Sequence, residues 1–392
     1  MYMKTLNKLT IKNFGPIHEA RLAFGDLTVF IGSQASGKSL ALQLLKLLLD
    51  RPFVTATMDK YNYVIAKNPD NVLNFFFGEG LAGLWTTDTQ ISDGTKKYVK
   101  NDLLGKTASN AAESLFYIPA QRIISIADGR PKNFMEYDSS TPFVLRQFSE
   151  MLRMFIQFGI NGNKIVFPLR NRLMTDIKKS FQENVFHRGK VVIDDSSGQK
   201  KMQLLLDNMS IPFMAWSAGQ KEFMPLLMAF YCLTGPLLNA LDCNHYRYVV
   251  LEEPEMGLHP KAIQSVLLQI IELMQKSYKV IVSTHSQLLL EFAWAFNTIK
   301  GSDASPAQKE KMLLKMFAAE HLENIVRLAK GIFEKSVNTY FFADKGEGVV
   351  TQDISNLDVA SDDQNMADWG GLSQFSDKAS EVVSQVINGE YE

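Results

Sequence analysis

The chain has few of the features that mark secreted, metal-stapled or membrane-spanning proteins. It has 392 residues and only two cysteines, Cys232 and Cys243, which cannot form a disulfide framework and have no partner ligands at metal-binding spacing. The longest apolar stretch, 226–241, is interrupted by Gly235 and Pro236 and is too short to span a bilayer. The first residues, MYMKTLNKL, contain no apolar signal core. We therefore expect a cytoplasmic protein that does not enter a membrane.

An excess of charge of either sign is also absent, but the charges are unevenly distributed. The formal net charge is −1 at pH 7, whereas residues 344–392 hold 11 acidic and 2 basic residues. Residues 146–201 hold 11 basic and 5 acidic residues. Two interpretations of this basic segment stand side by side. It is either ordinary solvated surface or a surface for a phosphate backbone or an acidic partner.

The most informative stretch runs from Leu27 to Asp50 and reads LTVFIGSQASGKSLALQLLKLLLD. Its apolar start predicts a buried strand, and its end has the apolar spacing of a helix. Between them, GSQASGKS matches G-x-x-x-x-G-K-[S/T] at every fixed position. Gly32 and Gly37 allow tight turns that point successive N–H groups at one anion, and the following helix adds the positive end of its dipole. The pattern predicts a binding site for nucleotide phosphates.

The residues of this phosphate loop have expected roles in binding ATP and Mg²⁺. Lys38 is expected to reach the β- and γ-phosphates, and the Ser39 hydroxyl to be a ligand of Mg²⁺. The residues expected to contact the nucleotide are Gly32, Ser33, Gln34, Ala35, Ser36, Gly37, Lys38, Ser39 and Leu40.

The rest of the chain predicts strands and helices in alternation. Strands are predicted near Leu9 and Ile11 and over 17–24, 61–66, 72–77, 96–100, 115–118, 190–193, 202–206, 248–251, 280–286, 337–343 and 349–354. Helices are predicted over 40–50, 143–158, 170–182, 261–276, most of 288–328 and 373–387, with another that starts at Ser217 as its N-cap.

The opening of the chain resembles ABC-type ATPases of the structural-maintenance-of-chromosomes (SMC) and overcoming-lysogenisation-defect (OLD) groups. In those proteins a strand, an N-F-G-P-I turn and a G-x-N-x-x-G-K-S loop follow one another, as in LTIKNFGPIHEARLAFGDLTVFIGSQASGKS here. Gln34 stands where the family usually has Asn. The resemblance implies an α/β P-loop NTPase fold, with an ABC-ATPase head, an antiparallel β-subdomain, a central mixed or parallel sheet and an inserted helical lobe.

The resemblance also implies a division of the chain. Residues 1–121 are expected to form the N-terminal part of ATPase lobe I, and 122–216 the inserted helical lobe II. Residues 217–354 would supply the signature helix and the rest of lobe I, followed by an acidic tail with a terminal helix over 355–392.

Two further motifs resemble family motifs outside the phosphate loop. The run YIPAQR places Gln121 where those ATPases have the glutamine that joins Mg²⁺ and the attacking water to lobe II. An ordinary glutamine at a strand end explains that residue equally well. The run Ser217-Ala218-Gly219-Gln220 resembles the family's S-G-G-Q signature, which faces the ATP of the other subunit.

Two strand ends carry the remaining motifs. In RYVVLEEPEMGLHP, Glu252 and Glu253 end a buried strand, and adjacent carboxylates there are costly unless they bind a cation or act on a proton. By the resemblance, Glu252 holds the Mg²⁺ shell and Glu253 orients and deprotonates water. His285, at the end of VIVSTH, would contact the γ-phosphate and bridge it to Glu253. His259 fits a helix cap better than a ligand.

Together these motifs imply a Mg²⁺-dependent ATPase that works as a homodimer or higher homo-oligomer. Each ATP site would combine one chain's Lys38, Ser39, Glu252, Glu253 and His285 with the other chain's Ser217, Gly219 and Gln220. Stand-alone OLD-like ATPases resemble the ATPase halves of anti-phage systems such as PARIS or Septu, so we expect control of a separate effector, a nuclease or toxin. The alternative is a DNA-repair or chromosome-associated ATPase that binds DNA through its basic lobe.

Overall fold

A ten-stranded mixed sheet forms the centre of the computed structural model. The described residues are 5–64, 68–105, 111–160, 164–196, 198–207, 209–235 and 245–356, with the pairs 378–379 and 383–384.

The strands within these ranges are β1 (Lys8–Phe14), β2 (Ile17–Ala23), β3 (Leu27–Gly32), β4 (Trp85–Ser92), β5 (Lys97–Tyr98), β6 (Leu115–Ile118), β7 (Ile126–Ala127), β8 (Arg130–Pro131), β9 (Ile165–Phe167), β10 (Lys190–Asp194), β11 (Lys201–Leu206), β12 (Met209–Pro212), β13 (Tyr248–Glu252), β14 (Lys279–Ser283), β15 (Val337–Asp344) and β16 (Val349–Asp353). The helices are α1 (Lys38–Lys60), α2 (Pro69–Phe77), α3 (Phe143–Met154), α4 (Thr175–Asn184), α5 (Ala218–Thr234), α6 (Pro260–Gln275), α7 (Gln287–Gly301), α8 (Pro306–Met316) and α9 (Glu323–Ala329).

The two halves of the large sheet differ in strand direction. Its order is β5-β4-β1-β2-β16-β15-β3-β14-β13-β6. Neighbours from β15 to β6 run parallel, whereas those from β5 to β2 run antiparallel. The ladder pairs Ser283 with Phe30 on one side and with Glu252 on the other. Because carboxyl ends of parallel strands meet at one edge, the phosphate loop, Glu252 and the residues after Ser283 converge there.

Two of the predicted strands are wrong. Residues 72–77 lie in α2, because Asn68 accepts a hydrogen bond from the Asp70 N–H as the N-cap and Pro69 suits the first helical position. A short apolar run fits a buried helix as well as a strand, so the run VLNFFF alone could not decide. Residues 61–64 follow the end of α1 without forming a strand, and 65–66 lie outside the described ranges.

Two further predictions need adjustment at this side of the sheet. Within 96–100 only Lys97–Tyr98 is a strand, and a 3₁₀ turn begins at Lys100. The eight-residue strand β4 was not predicted. Helix α1 continues to Lys60, beyond the predicted end at 50, because Asp50 leaves helical angles (φ −109°, ψ 23°) and so accommodates Pro52.

The segment predicted as a helical lobe, 122–216, has both helices and strands. Helix α3 ends at Met154 and continues as a π turn, and α4 begins five residues later than the predicted 170. The predicted hairpin is confirmed as β10 and β11, and it forms the middle of a four-stranded antiparallel sheet, β12-β11-β10-β9. The predicted strands at 337–343 and 349–354 are confirmed as β15 and β16. The predicted terminal helix at 373–387 lies outside the described residues, apart from 378–379 and 383–384.

Candidate functional site

The phosphate loop between β3 and α1 requires glycine at two positions. Gly32 has φ 143°, and a Cβ there would lie 2.6 Å from the Phe342 carbonyl oxygen. Gly37 has φ 84°, and a Cβ there would lie 2.8 Å from Ile17 Cγ1. The loop therefore packs directly against strand β15 and the β1–β2 hairpin. Gly37 also leaves the start of α1 without a side-chain cap, so its first N–H groups are available to an anion.

Lys38 is held inside this loop by the loop's own oxygens. Its Nζ donates to the carbonyl oxygens of Gly32 (2.8 Å) and Ser33 (2.7 Å) and to Ser36 Oγ (3.2 Å). The side chain is largely buried, and this burial lowers the pKa of Lys38, while Glu253 and Glu252 oppose the shift. The ammonium is therefore placed at the base of the loop before any phosphate binds.

A cleft of about 320 Å³ opens beside the loop. That volume is within the range of roughly 300–1,000 Å³ for small-molecule sites. The cleft is lined by Gln34, Ala35, Ser36, Gly37, Lys38, Ser39, Leu40, Glu253, Ser283 and His285. Three separate segments of the chain thus meet around one cavity, at the edge where the parallel strands end.

Glu252 lies behind this cleft as the last residue of β13. Its side chain is 4 % exposed, and Oε2 accepts a hydrogen bond from the Ala120 N–H (3.3 Å). Burial raises the pKa of Glu252, although the Ser39 hydroxyl, the Ala120 N–H and the Tyr117 hydroxyl act against the shift. Oε1 is buried and has no hydrogen-bond partner in the described structure. A buried carboxylate oxygen without a partner, close to a serine hydroxyl, suits a hard divalent cation.

The described residues contain no group of three or more His, Cys, Asp or Glu that could hold a metal ion alone. Mg²⁺ commonly takes one or two carboxylates and completes its shell with water and phosphate oxygens. The donor set around Glu252 therefore fits Mg²⁺ that is bound together with a nucleotide.

Glu253 has an unusual backbone conformation directly after β13. Its φ is 43°, in the left-handed region, and its N–H donates to the Ser283 carbonyl oxygen (2.8 Å). Its Oε1 lies 3.7 Å from His285 Nε2, and the two side chains are 31 % and 33 % exposed. A non-glycine residue in this region costs about 1–3 kcal/mol and is common where geometry serves a function. The turn brings the Glu253 carboxylate into the cleft beside His285.

Glu255 supports the candidate site, although no sequence motif predicts this. Its Oε1 accepts hydrogen bonds from Thr284 Oγ1 (2.6 Å) and from the His285 N–H (2.8 Å). The carboxylate therefore fixes the turn that carries His285 after β14. In the sequence, Glu255 is visible only as the third acidic residue of EEPE. That pattern does not indicate its hydrogen-bond partner His285, which is 30 residues away.

Gln121 and the signature residues lie apart from the cleft lining. The Gln121 side chain is exposed after the end of β6. Ser217 is the N-cap of α5, since its Oγ accepts from the Gln220 N–H (3.3 Å) and Gln220 Oε1 accepts from the Ser217 N–H (3.1 Å). His259 is likewise a cap, because its Nδ1 accepts from the Lys261 N–H (3.3 Å).

Gly219 is in close contact with the loop after the two glutamates. A Cβ at Gly219 would lie 2.3 Å from the Gly257 carbonyl oxygen, so no larger residue fits without movement. Gly257 itself has φ 71°. The first turn of α5 and the segment after β13 therefore touch backbone to backbone.

Two family models match the chain. One described as "AAA ATPase domain" matches residues 3–158. One described as "AAA domain, putative AbiEii toxin, Type IV TA system" matches residues 120–291. The curated Old nuclease of Escherichia phage P2 is 21 % identical over 358 residues, which cover 78 % of this chain and 61 % of that protein. The chain therefore matches about three fifths of the length of this relative.

Solved structures with similarity include SMC heads and ABC cassettes. An SMC head bound to the C-winged helix domain of ScpA has 11 % identity and a TM-score of 0.38, covering 88 % of this chain and 96 % of that one. The SMC head domain from Thermotoga maritima has 12 % identity and a TM-score of 0.36, covering 89 % and 99 %. A dimeric bacterial ABC transporter cassette has 11 % identity and a TM-score of 0.33, covering 72 % and 90 %.

The strand order and the order of the motifs are those of an α/β P-loop ATPase fold, and the two matched AAA models include the phosphate loop, Glu252, Glu253 and His285. No helix in the described part of the chain is long and apolar enough to cross a membrane.

Proposed function

We propose that the protein is a Mg²⁺-dependent ATPase that acts as a molecular switch in the cytoplasm. One observation carries this proposal: the cleft that joins the phosphate loop to Glu253 and His285. A phosphate-binding loop, a carboxylate and an imidazole around one cavity are the groups that hydrolysis of a phosphoanhydride needs.

The Mg²⁺ ion would be held by Ser39, Glu252 and Gln121. The unpartnered Oε1 of Glu252 supports this assignment. When bound, the ion would neutralise negative charge on the phosphate oxygens.

The protein's own groups account for the rest of the chemistry. Glu253 orients a water molecule and accepts its proton, for which its carboxylate is placed in the cleft. Lys38 exchanges hydrogen bonds with loop carbonyls for bonds to the β- and γ-phosphates, where it stabilises developing charge. His285, 3.7 Å from Glu253, bridges that carboxylate and the γ-phosphate.

A second copy of the chain completes each site in this proposal. Ser217, Gly219 and Gln220 do not line the cleft of their own chain, and Ser217 and Ala218 are exposed at the start of α5. An exposed helix N-terminus with N–H groups pointing outward suits a phosphate group supplied by a partner. ATP would then hold a homodimer closed, and hydrolysis would open it.

Glu253→Gln tests this assignment. The amide cannot accept the proton of water, so we expect ATP turnover to fall at least about 100-fold while ATP binding persists. Size-exclusion chromatography with ATP should then show an accumulated oligomer. Glu323→Gln on α9, where the side chain is 87 % exposed, is the matched control and should retain wild-type turnover. Wild-type turnover in Glu253→Gln would contradict the proposal.

We further propose that this switch controls a separate effector protein, a nuclease or toxin, in anti-phage defence. The relation to the Old nuclease and the toxin-related family match support this role. The rival role is DNA binding in repair or chromosome maintenance through residues 146–201. Several cations of that segment are engaged elsewhere: Arg146 and Arg172 are buried, and Arg153, Lys164 and Lys201 pair with Glu150, Asp195 and Asp128.

A pull-down for a stoichiometric protein partner, run beside a DNA-binding titration at several salt concentrations, separates the two roles. Lys178 and Lys179 on α4 have no ion pair to a described residue, so they provide the sharpest probe of DNA contact. A partner protein, with DNA affinity that is unchanged in Lys178→Ala/Lys179→Ala, would support the effector role. DNA affinity that falls steeply with salt and is reduced in this variant would support the rival.

A further inference from the structure

Arg122, four residues past the end of β6, has a fully buried guanidinium that no prediction from sequence included. Its exposed fraction is 0 %. Nε donates to the Glu222 carbonyl oxygen (2.9 Å), and Nη1 donates to the Glu252 carbonyl oxygen (3.1 Å). Nη1 and Nη2 both donate to the Glu253 carbonyl oxygen (3.2 Å each). One planar side chain thus connects three backbone carbonyls from two distant segments.

The bonds to Glu253 act on the backbone of a strained residue. Glu253 has φ 43°, and two hydrogen bonds fix the direction of its carbonyl group and therefore of the following peptide plane. With the N–H of Glu253 donating to Ser283, both backbone groups of this residue are held. The Glu253 side chain is about one third exposed, so packing alone restrains it only partly. The orientation of its carboxylate in the cleft therefore depends on the backbone that these hydrogen bonds hold.

The other end of the connection lies on α5, the helix that begins with the signature residues. Glu222 is in the second turn of that helix, and its carboxylate Oε2 is 3.9 Å from Arg122 Nε. The contact between Gly219 and Gly257 joins the same two segments a second time. The start of α5 and the loop that carries Glu253 are therefore linked at two points, one of them through Arg122.

Arginine suits this position in a way that lysine does not. Its planar fork presents several N–H groups at fixed angles, whereas a lysine ammonium is a compact charge on a flexible stem. A buried cation also needs compensation, which here comes from carbonyl dipoles and the surrounding carboxylates of Glu222 and Glu255.

We propose that Arg122 is a positioning residue that holds Glu253 in its hydrolytic orientation and ties that orientation to the start of α5. This inference rests on the proposed ATPase function. The hydrogen bonds of Arg122 go to Glu222, Glu252 and Glu253, and not to the phosphate loop. Loss of the guanidinium group is therefore expected to slow the chemical step more than it weakens ATP binding.

The test compares Arg122→Lys with Arg146→Lys. Arg146 is also 0 % exposed and donates to Tyr63 Oη (3.0 Å) and the Phe75 carbonyl oxygen (2.6 Å), outside the cleft. We expect Arg122→Lys to lower kcat about 10- to 100-fold while KM and the dissociation constant for ATP change less than about threefold. Arg146→Lys should lower the denaturation midpoint and leave kcat unchanged.

Parallel assays of the wild type and Glu253→Gln distinguish a failure of the Arg122 inference from a failure of the proposed ATPase function. If the wild type hydrolyses ATP and Glu253→Gln does not, an unchanged kcat in Arg122→Lys overturns the inference alone. Equal losses of kcat and ATP affinity would also overturn it, because they indicate a general structural role. If the wild type has no ATPase activity, the proposed function fails and the inference fails with it.

Discussion

Strand β6 has a buried cation near each end, and the two are compensated in different ways. At its amino end, Lys46 Nζ donates to Asp50 Oδ2 (2.6 Å), to Glu113 and to the Leu115 carbonyl oxygen (2.7 Å). At its carboxyl end, all the hydrogen bonds of Arg122 described above go to backbone carbonyls. The nearby Glu252 keeps a buried oxygen without a partner.

The difference separates a charge cluster whose charged groups are paired with one another from a cluster that keeps an unpaired acceptor. Burial alone would lower the pKa of Lys46, but the carboxylates of Asp50 and Glu113 raise it overall. The ammonium group therefore stays charged. Asp50 also accepts from the Ser114 N–H and the Leu115 N–H, which closes the cluster. The cluster around Glu252 is open, because Oε1 of this carboxylate has no hydrogen-bond partner among the described residues. A buried polar group without a partner is costly, so an open cluster indicates a binding site.

The largest expected effect comes from breaking the closed cluster with Asp50→Asn. The amide group replaces an acceptor with a donor next to Lys46 and two backbone N–H groups, so the variant should lose about 3–5 kcal/mol of unfolding free energy. Urea denaturation measures this loss, and ATP turnover per folded molecule should stay at the wild-type value. Asp59→Asn, at an exposed position near the end of α1, should change stability by less than about 0.5 kcal/mol. A similar stability for the two variants would remove the distinction between closed and open clusters.

An intermediate effect is expected from Gly219→Ala at the open end. The added methyl group would overlap the Gly257 carbonyl oxygen, and the required shift should cost about 1–3 kcal/mol. Differential scanning calorimetry should show a lower melting temperature, with reduced ATP turnover because α5 moves away from the loop after Glu253. Gly301→Ala, where a Cβ meets nothing within 4 Å, provides the control and should be neutral or stabilising. Unaltered turnover in Gly219→Ala would mean that the backbone contact is dispensable.

An effect of opposite sign is expected from Glu252→Gln. Burial raises the pKa of Glu252, so the folded state favours the protonated form; its contribution to stability is present at low pH and lost as pH rises through the raised pKa. In Mg²⁺-free buffer the variant should therefore exceed the wild type by about 1–3 kcal/mol at pH 8. The gain should shrink as the pH falls and Glu252 becomes protonated. Denaturation curves across pH measure this, and a variant less stable than the wild type at pH 8 would contradict the open-cluster interpretation.

The parallel half of the sheet could be predicted from sequence because its signals are local. The phosphate loop, the Glu252–Glu253 pair and His285 each follow a short apolar strand, and the strands align these ends at one edge. The segment before the antiparallel strand β4 is harder to predict, because the run 72–77, which lies in α2, has no periodicity that separates a buried helix from a strand.

The residues that support the site could not be predicted, because their partners are distant in sequence. Arg122 bonds to Glu222, 100 residues away, and Lys46 to Glu113, 67 residues away. Glu255 meets His285 only because β13 and β14 are adjacent in the sheet. Their roles follow from tertiary contacts, which a single sequence does not encode in any local pattern.

The position of β15 has a consequence for how the protein is made. This strand pairs with β3 from Val337↔Leu27 to Phe342↔Gly32, and the Phe342 ring lies 5.0 Å from that of Phe30. At roughly 5–20 residues per second on the ribosome, β15 is synthesised about 15–60 s after β3. A nascent chain therefore carries the phosphate loop long before the strand that supports it. The proposed nucleotide cycle therefore requires a strand that is made near the end of the described chain, so it is expected to begin only after nearly all of that chain has been synthesised.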